Sequence, residues 1–321
     1  MTRRRRTLLL PAAISVVALA AVVWWASRQQ MPELPSASVA LPRLAAALGL
    51  YALATAMRGE RWLRILRHCN ARIGRGDAYA LTTVGYMGNN ALPARAGDVM
   101  KAMLSSRDAG VPTADGFGAL VAERVLDAAA LVLIFGLLVT TLSLPLGIDG
   151  WMLAVVVAGL LVAGAAAAFL GRDTGAGKRV RELATQLLAP TRRMWSAVGA
   201  GLLALSVCLW LVEGSVYAVL GPVAGVHLSL IDGLYIMALA NLVALIPAAP
   251  GYVGTFDAAV ILAVRLVAGG TRAAALAYAV VVRFVLFVPI TIVGLVVLVV
   301  RYGGLRRLAG ALRRPEPIPA Q

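Results

Sequence analysis

The stretch GYMGNNALPARAGDVMK, residues 85–101, places two Asn, one Pro and three charged side chains in an otherwise apolar part of the chain. Apolar residues lie on both sides of it, where a membrane helix is expected. Proline removes a backbone N–H donor, and charged groups are costly in lipid. The stretch therefore predicts a break between two short helices instead of one continuous span.

The composition indicates a polytopic membrane protein. Of the 321 residues, 60% are hydrophobic, against about 45–50% in soluble domains. We expect an all-α polytopic fold with about six spanning helices, near residues 8–27, 41–57, 117–142, 151–170, 196–220 and 273–300. Residues 1–305 would form a single integral membrane domain, and residues 306–321 a disordered, basic and Pro-rich cytoplasmic tail.

The net charge of +15 is distributed as the positive-inside rule requires, which argues against a nucleic-acid partner. Most basic residues fall in segments that the predicted spans place on one side, at residues 3–6, 58–75, 95–107, 172–193 and 301–314. This distribution predicts that both termini are cytoplasmic, and we expect a bacterial-type cytoplasmic membrane. The opening MTRRRRTLLL could also begin a secretory signal, but the long apolar run ending in Trp24 and Trp25 favours an uncleaved helix.

Residues 58–75 combine a basic face with an apolar one. Trp62, Ile65, Leu66 and Cys69 recur at helical spacing, and Arg and His occupy most other positions. The pattern predicts an amphipathic basic helix at the cytoplasmic interface, with a stop-transfer loop as the alternative.

Two apolar segments are interrupted by Pro and Gly, residues 78–104 and residues 230–268, the latter containing NLVALIPAAPGYVGTFDAAV. With the spans above, the first segment begins and ends inside, and the second begins and ends outside. They would then be re-entrant or broken helical hairpins of opposite orientation, the arrangement that points to a transporter site. The alternative is that every arm spans fully, which gives ten spans.

Charged side chains inside spans are the strongest functional signal in a membrane protein. An intramembrane charge network is predicted from Glu123, Arg124, Asp127, Glu213, Asp257 and Arg283. Arg124 or Arg283 is expected to pair with at least one of these acids. The network could line a polar cavity and couple to protons, or it could be purely structural.

The break after residue 88 suits a phosphate. Arg95 can bind one with two hydrogen bonds, Lys101 adds a point charge, and a following helix start attracts anions; the same residues could instead mark only a cytoplasmic loop. The candidate substrate-binding residues are Asn89, Asn90, Arg95, Asp98, Lys101, Asn241 and Tyr252. We expect no catalytic residues, no metal site and no cofactor, since no such spacing is seen.

The motifs N-x-x-x-P-x-R-x-G-[DE]-x-x-[KR], E-R-x-x-D and P-x-x-P-G-x-x-G-x-x-[DE] resemble the flippase-like family, the transmembrane region of lysylphosphatidylglycerol synthase, also called multiple peptide resistance factor. They are carried here by Asn89, Pro93, Arg95, Gly97, Asp98, Lys101, Glu123, Arg124, Asp127, Pro247, Pro250, Gly251, Gly254 and Asp257. Arg283, Pro289 and Gly294 also fit the family's last helix. The family more often has Gly where Tyr252 stands, so Tyr252 could narrow a cavity.

The resemblance implies lipid translocation without synthesis, because the bifunctional synthases carry an aminoacyl-transferase domain after the membrane part and this sequence ends soon after its last predicted helix. The leading hypothesis is a flippase that moves a phospholipid or related polar lipid between leaflets, with an anionic or phosphate-bearing headgroup as partner. An accessory or scaffold subunit of a lipid, glycolipid or hopanoid pathway is the alternative, and a lipid transferase is a third. A homo-oligomer or lipid-synthesis partner proteins are left open.

The predicted orientation can be tested by cysteine labelling. A cysteine placed at Asp149 should react with a membrane-impermeant thiol reagent from outside, and one placed at Gly177 only after permeabilisation. The reverse labelling would contradict the positive-inside assignment.

Overall fold

The computed structural model describes residues 36–92, 95–110, 112–141, 196–244, 250–269 and 271–303. Every regular element in these ranges is helical. The helices are α1 Ala37–His68, α2 Arg75–Ala91, α3 Ala96–Ala109, α4 Thr113–Thr141, α5 Ala197–Leu220, α6 Leu230–Val243, α7 Thr255–Ala268 and α8 Arg272–Tyr302. Short 3₁₀ turns follow α5 at Gly221–Ala224 and precede α7 at Pro250–Tyr252.

Within the described residues, three helices are long and apolar enough to cross a bilayer: Ala37–His68, Ala197–Ala224 and Arg272–Tyr302. They coincide with the spans expected near 41–57, 196–220 and 273–300. The span expected near 117–142 falls on α4, a helix of 29 residues. The spans at 8–27 and 151–170, and the tail at 306–321, lie outside the described residues. Outward-facing side chains such as Leu137, Phe284 and Val300 are exposed, as lipid-facing residues should be.

The interfacial helix predicted over residues 58–75 is wrong. Helix α1 continues without a break to His68, and Arg58 and Arg61 are almost completely buried. Trp62 on the apolar side is buried too. The reason is that carboxylates on α4 and α5 face this turn, so the basic side of the helix packs inward. Arg58, Arg61 and the buried Lys101 therefore do not mark the cytoplasmic side, and the orientation rests on the other basic residues.

The helix–break–helix pattern of both interrupted segments is confirmed. Helices α2 and α3 are separated at residues 92–95, and α6 and α7 at residues 244–254. Arg95 takes the left-handed backbone conformation, φ 55°, which non-glycine residues seldom adopt. The two breaks lie side by side, because a Cβ added at Gly251 would come 3.3 Å from the Asn90 carbonyl oxygen.

Helices α2 and α3 cross with their backbones in direct contact. A Cβ added at Gly97 would lie 2.1 Å from the Gly85 carbonyl oxygen and 2.3 Å from the Asn89 amide nitrogen. Only a residue without a side chain permits this approach. The crossing brings Asn89 against Asp98, with which it exchanges two hydrogen bonds. The close packing of the first hairpin thus places two of the candidate site residues.

Replacing Gly97 by Ala should destabilise the protein, because the new methyl group would collide with backbone that cannot rotate away. Overpacking typically costs about 1–3 kcal/mol, and here the obstacle is main chain. Gly49→Ala in α1 is the matched control, since nothing lies within 4 Å of its Cβ position. Thermal unfolding in detergent should show a lower midpoint for Gly97→Ala alone, and equal midpoints would contradict the close crossing.

Candidate functional site

Arg61 is the centre of a buried group of ion pairs. Its guanidinium is fully buried and donates from Nη1 to Asp127 at 2.6 Å and to the Ser206 hydroxyl at 2.8 Å. Its Nη2 donates to Glu123 at 3.2 Å. Glu123 and Asp127 are four residues apart on α4, so both carboxylates face the same side and bind one arginine.

Lys101 neutralises the second oxygen of Glu123. The Lys101 ammonium donates to Glu123 Oε2 at 2.7 Å and lies 3.8 Å from the centre of the Trp62 ring. The indole N–H of Trp62 donates to Ser105, one turn along α3. Helix α3 is therefore attached to α1 and α4 by one cation that serves both a carboxylate and an aromatic face.

Arg124 extends the group towards the first hairpin. Its guanidinium is 3.5 Å from Asp127, 3.7 Å from Glu123 and 3.9 Å from Asp98. Asp98 also accepts a hydrogen bond from Asn89, whose own side-chain oxygen accepts from the Asp98 backbone N–H. One N–H of the α3 start is thus already used within the protein and is not left for an anion.

Arg58 and Glu213 form a buried pair between α1 and α5. The Arg58 guanidinium also lies over the rings of Tyr86, at 5.3 Å, and Trp210, at 5.1 Å. The Trp210 indole N–H donates to Asp127 at 3.2 Å, which links this pair to the others. We call the whole set the charge cluster; it consists of four cations and four anions, namely Arg58, Arg61, Lys101, Arg124, Asp98, Glu123, Asp127 and Glu213. The cluster is therefore neutral overall.

Arg283 and Asp257 form a separate pair beside the second break. The Arg283 guanidinium binds both Asp257 oxygens, at 2.6 and 2.9 Å, and donates to the Gly251 carbonyl at 2.9 Å. It also lies 4.6 Å from the centre of the Phe287 ring. The pairing predicted for Arg124 and for Arg283 is confirmed.

Arg95 bridges the two breaks. Its Nε donates to the Tyr252 hydroxyl at 2.8 Å and its Nη2 to the Ala244 carbonyl at 3.1 Å. Among the described residues no carboxylate lies within ion-pairing distance of it, in contrast to Arg58, Arg61, Arg124 and Arg283. Tyr252 adopts a left-handed backbone, φ 54°. A glycine suits that conformation best, and the tyrosine present instead places its hydroxyl against Arg95.

A cavity of about 100 Å³ lies between the breaks and the charge cluster. It is lined by three arginines, two acids, three asparagines and a set of aromatic and aliphatic residues: Arg58, Arg95, Arg124, Asp127, Glu213, Asn89, Asn90, Asn241, Tyr51, Tyr86, Trp210, Tyr217, Tyr252, Phe256, Phe287, Leu131, Ala244 and Leu286. Asn90 also donates to Thr291 on α8.

Most of the predicted site residues come together at this cavity, but not all. Asp98, Lys101 and Glu123 are held in the charge cluster behind its wall, and Asp257 and Arg283 lie beside it. Arg58 and Arg61 were missed as site residues, because their position after an apolar run resembled a cytoplasmic flank. Their spacing of three residues put both on one helix face, and the surplus of acids over bases in the predicted network was the signal for further cations.

No group of three or more His, Cys, Asp or Glu side chains in the described part of the chain is arranged to hold a metal ion. The fold and the site define a helical, multi-pass membrane protein with a polar cavity between two broken helical segments. The chain belongs to the family of the lysylphosphatidylglycerol synthase TM region, whose model matches residues 10–294.

A curated relative gives a more distant comparison. The chain is similar to the glycosyltransferase AglD of Haloferax volcanii, with 31% identity over 106 residues. The match covers 33% of this chain and 17% of that protein. The chain thus matches less than a fifth of the length of this relative.

Removing Arg61 should destabilise the fold strongly. Arg61→Ala would leave Glu123 and Asp127 short of a cation in a buried site, and breaking a buried pair from one side costs about 3–5 kcal/mol. Arg64→Ala is the matched control, one turn along the same helix, where the arginine is exposed and pairs only with Glu60. Detergent-solubilised yield and unfolding temperature should fall for Arg61→Ala and change little for Arg64→Ala. Equal values would contradict the central role of Arg61.

Proposed function

We propose that this protein moves a phospholipid or a related polar lipid between the two leaflets of a bacterial-type cytoplasmic membrane, with both termini inside and without catalysing a reaction. The single observation that carries the proposal is Arg95. It lies at the junction of the two breaks, lines the cavity and has no carboxylate partner among the described residues. A guanidinium in this state is suited to a phosphate, which it can bind through two parallel hydrogen bonds.

The arrangement of the breaks supports transport. Interrupted helices from two parts of a chain that meet at one polar site are typical of transporters. Their non-helical backbone is tolerated at membrane depth only when it is buried in protein or lines a wet cavity. Both hairpins are proposed to be re-entrant, and the close approach of Asn90 and Gly251 supports a meeting of their tips.

The cavity must enlarge to take a headgroup. Its volume of about 100 Å³ is below the roughly 300–1,000 Å³ of pockets for drug-sized ligands. The bonds of Arg95 to Tyr252 and Ala244 join the two hairpins, so an arriving phosphate would replace them and release one hairpin from the other. Each of the four predicted acids pairs with a basic side chain. A proton could therefore be carried only by breaking an ion pair, which favours the lipid gradient or a partner as the driving force.

A second candidate is an accessory subunit of a glycolipid pathway. The similarity to part of a protein named as a glycosyltransferase favours it. Such a subunit could bind the lipid at the same cavity and present it to an enzyme without moving it across the membrane. Transport by the purified protein alone separates the two candidates.

Replacing Arg95 tests the proposed transport. Arg95→Ala should lower the rate at which a labelled anionic phospholipid changes leaflet in proteoliposomes by about tenfold to a hundredfold, since a charge-assisted hydrogen bond contributes about 1.5–3 kcal/mol. Arg95→Lys should restore only part of the rate, because an ammonium cannot form the planar two-bond contact.

The control is Arg64→Ala, which removes an exposed arginine outside the cavity and should leave the rate unchanged. All variants should insert and elute as the wild type does. If Arg95→Ala transports at the wild-type rate, the first break is a structural turn. If the wild type itself does not transport while still binding lipid, the accessory function is favoured.

A further inference from the structure

We infer that the cavity selects lipids whose headgroup carries net negative charge and disfavours headgroups with a free amine, including aminoacylated ones. The inference rests on the proposed lipid site at Arg95 and adds to it the class of headgroup. It follows from the hydrogen-bond donors, the acceptors and the aromatic faces that the cavity still has free.

The donors left over belong to guanidinium groups. Arg58 is only 3% exposed and lines the cavity, yet its Nε and Nη1 have no hydrogen-bond partner within the described structure. The Nε of Arg124 is in the same state. Buried N–H groups without acceptors are costly, about 1–3 kcal/mol or more for charged groups. A phosphate in the cavity would supply the missing acceptors.

The negatively charged acceptors that line the cavity are already engaged. Glu213 is bound to Arg58, and Asp127 accepts from Arg61 and Trp210 and lies near Arg124. Three arginines and two acids line the cavity, which leaves one positive charge in excess among the described lining residues. An ammonium group in this position would find no free carboxylate and would meet like charge.

The aromatic rings offer an ammonium no alternative. Rings can bind cations through their faces, but four of them around this cavity already do so. The Tyr86 and Trp210 rings contact Arg58, the Tyr252 ring contacts Arg95, and the Phe287 ring contacts Arg283. The site therefore provides for an anion and makes no provision for an added cation.

The direct test is lipid binding by the purified full chain in detergent, measured by native mass spectrometry or by fluorescent-lipid titration. The probes are phosphatidylglycerol, which is anionic, phosphatidylethanolamine, which is zwitterionic, and lysyl-phosphatidylglycerol, which has a net positive headgroup. Phosphatidylglycerol should bind about tenfold or more tightly than lysyl-phosphatidylglycerol. Equal or tighter binding of lysyl-phosphatidylglycerol would overturn the inference.

Three variants give the sign of the effect. Arg58→Gln should weaken phosphatidylglycerol binding about tenfold, and Glu213→Gln should strengthen it about threefold because the cavity gains positive charge. Arg58→Gln combined with Glu213→Gln keeps the pair neutral, so it separates loss of the anion site from poor folding; it should bind as weakly as Arg58→Gln. Arg64→Gln is the control and should bind as the wild type does. Weaker binding by Glu213→Gln, or wild-type binding by the double variant, would contradict the inference.

The phosphate could belong to a lipid or be free in solution. Inorganic phosphate and glycerol 1-phosphate are therefore added as competitors. Failure of both to displace the lipid at equal concentration supports a lipid headgroup, and displacement would overturn that assignment. Because the assay measures binding only, a protein that prefers anionic lipids but does not transport them would contradict the proposed function and leave this inference intact.

Discussion

The structure depends on the burial of Arg61, a permanently charged group, between three helices. A lone guanidinium at such a position would cost several kcal/mol or more, so its surroundings must provide anions and further acceptors. Glu123, Asp127 and Ser206 do so, and each constrains the helix that carries it. Helix α1 must then extend past its apolar segment to deliver Arg61, and α4 and α5 must approach it closely. The surplus charge of the second carboxylate brings in Lys101 and with it α3. One buried cation thereby sets the relative positions of four helices.

The two broken segments meet at the edge of this rigid, neutral cluster. Arg95 and Tyr252 are both held with positive φ, a conformation that costs free energy and is commonly found at functional sites. They contact each other across the two breaks, whereas the charge cluster joins α1, α4 and α5 through ion pairs. The contacts that join the breaks are few and include no ion pair with a carboxylate among the described residues. A ligand that competes for Arg95 could therefore separate the hairpins without disturbing the charge cluster, and this difference in strength is what the proposed transport requires.

Much of the helical organisation could be predicted from the sequence, because Pro93, Gly97, Pro250 and Gly254 break apolar segments in a recognisable way. The pairing of Arg283 with Asp257 and of Arg124 with the acids of α4 followed from the cost of unpaired charge in lipid. The burial of Arg58 and Arg61 did not follow, since a basic turn after an apolar run has the same local pattern at an interface and in a core. Lys101 and Arg95 were grouped as phosphate ligands by proximity in sequence. Their separation depends on Glu123, a residue on another helix, which local spacing cannot bring into contact.

The central claim is that the neutral charge cluster leaves Arg95, with Arg58, to bind a lipid phosphate. Electron cryomicroscopy of the full chain in nanodiscs that contain phosphatidylglycerol tests it most directly, at a resolution that shows headgroup density. We predict headgroup density in the cavity within hydrogen-bonding distance of the Arg95 guanidinium. The ion pairs of Arg61 should be unchanged, and the hydrogen bond from Arg95 to the Tyr252 hydroxyl should be broken. A cavity that holds only water, with lipid confined to the outer surface and Arg95 still bound to Tyr252, would contradict the claim.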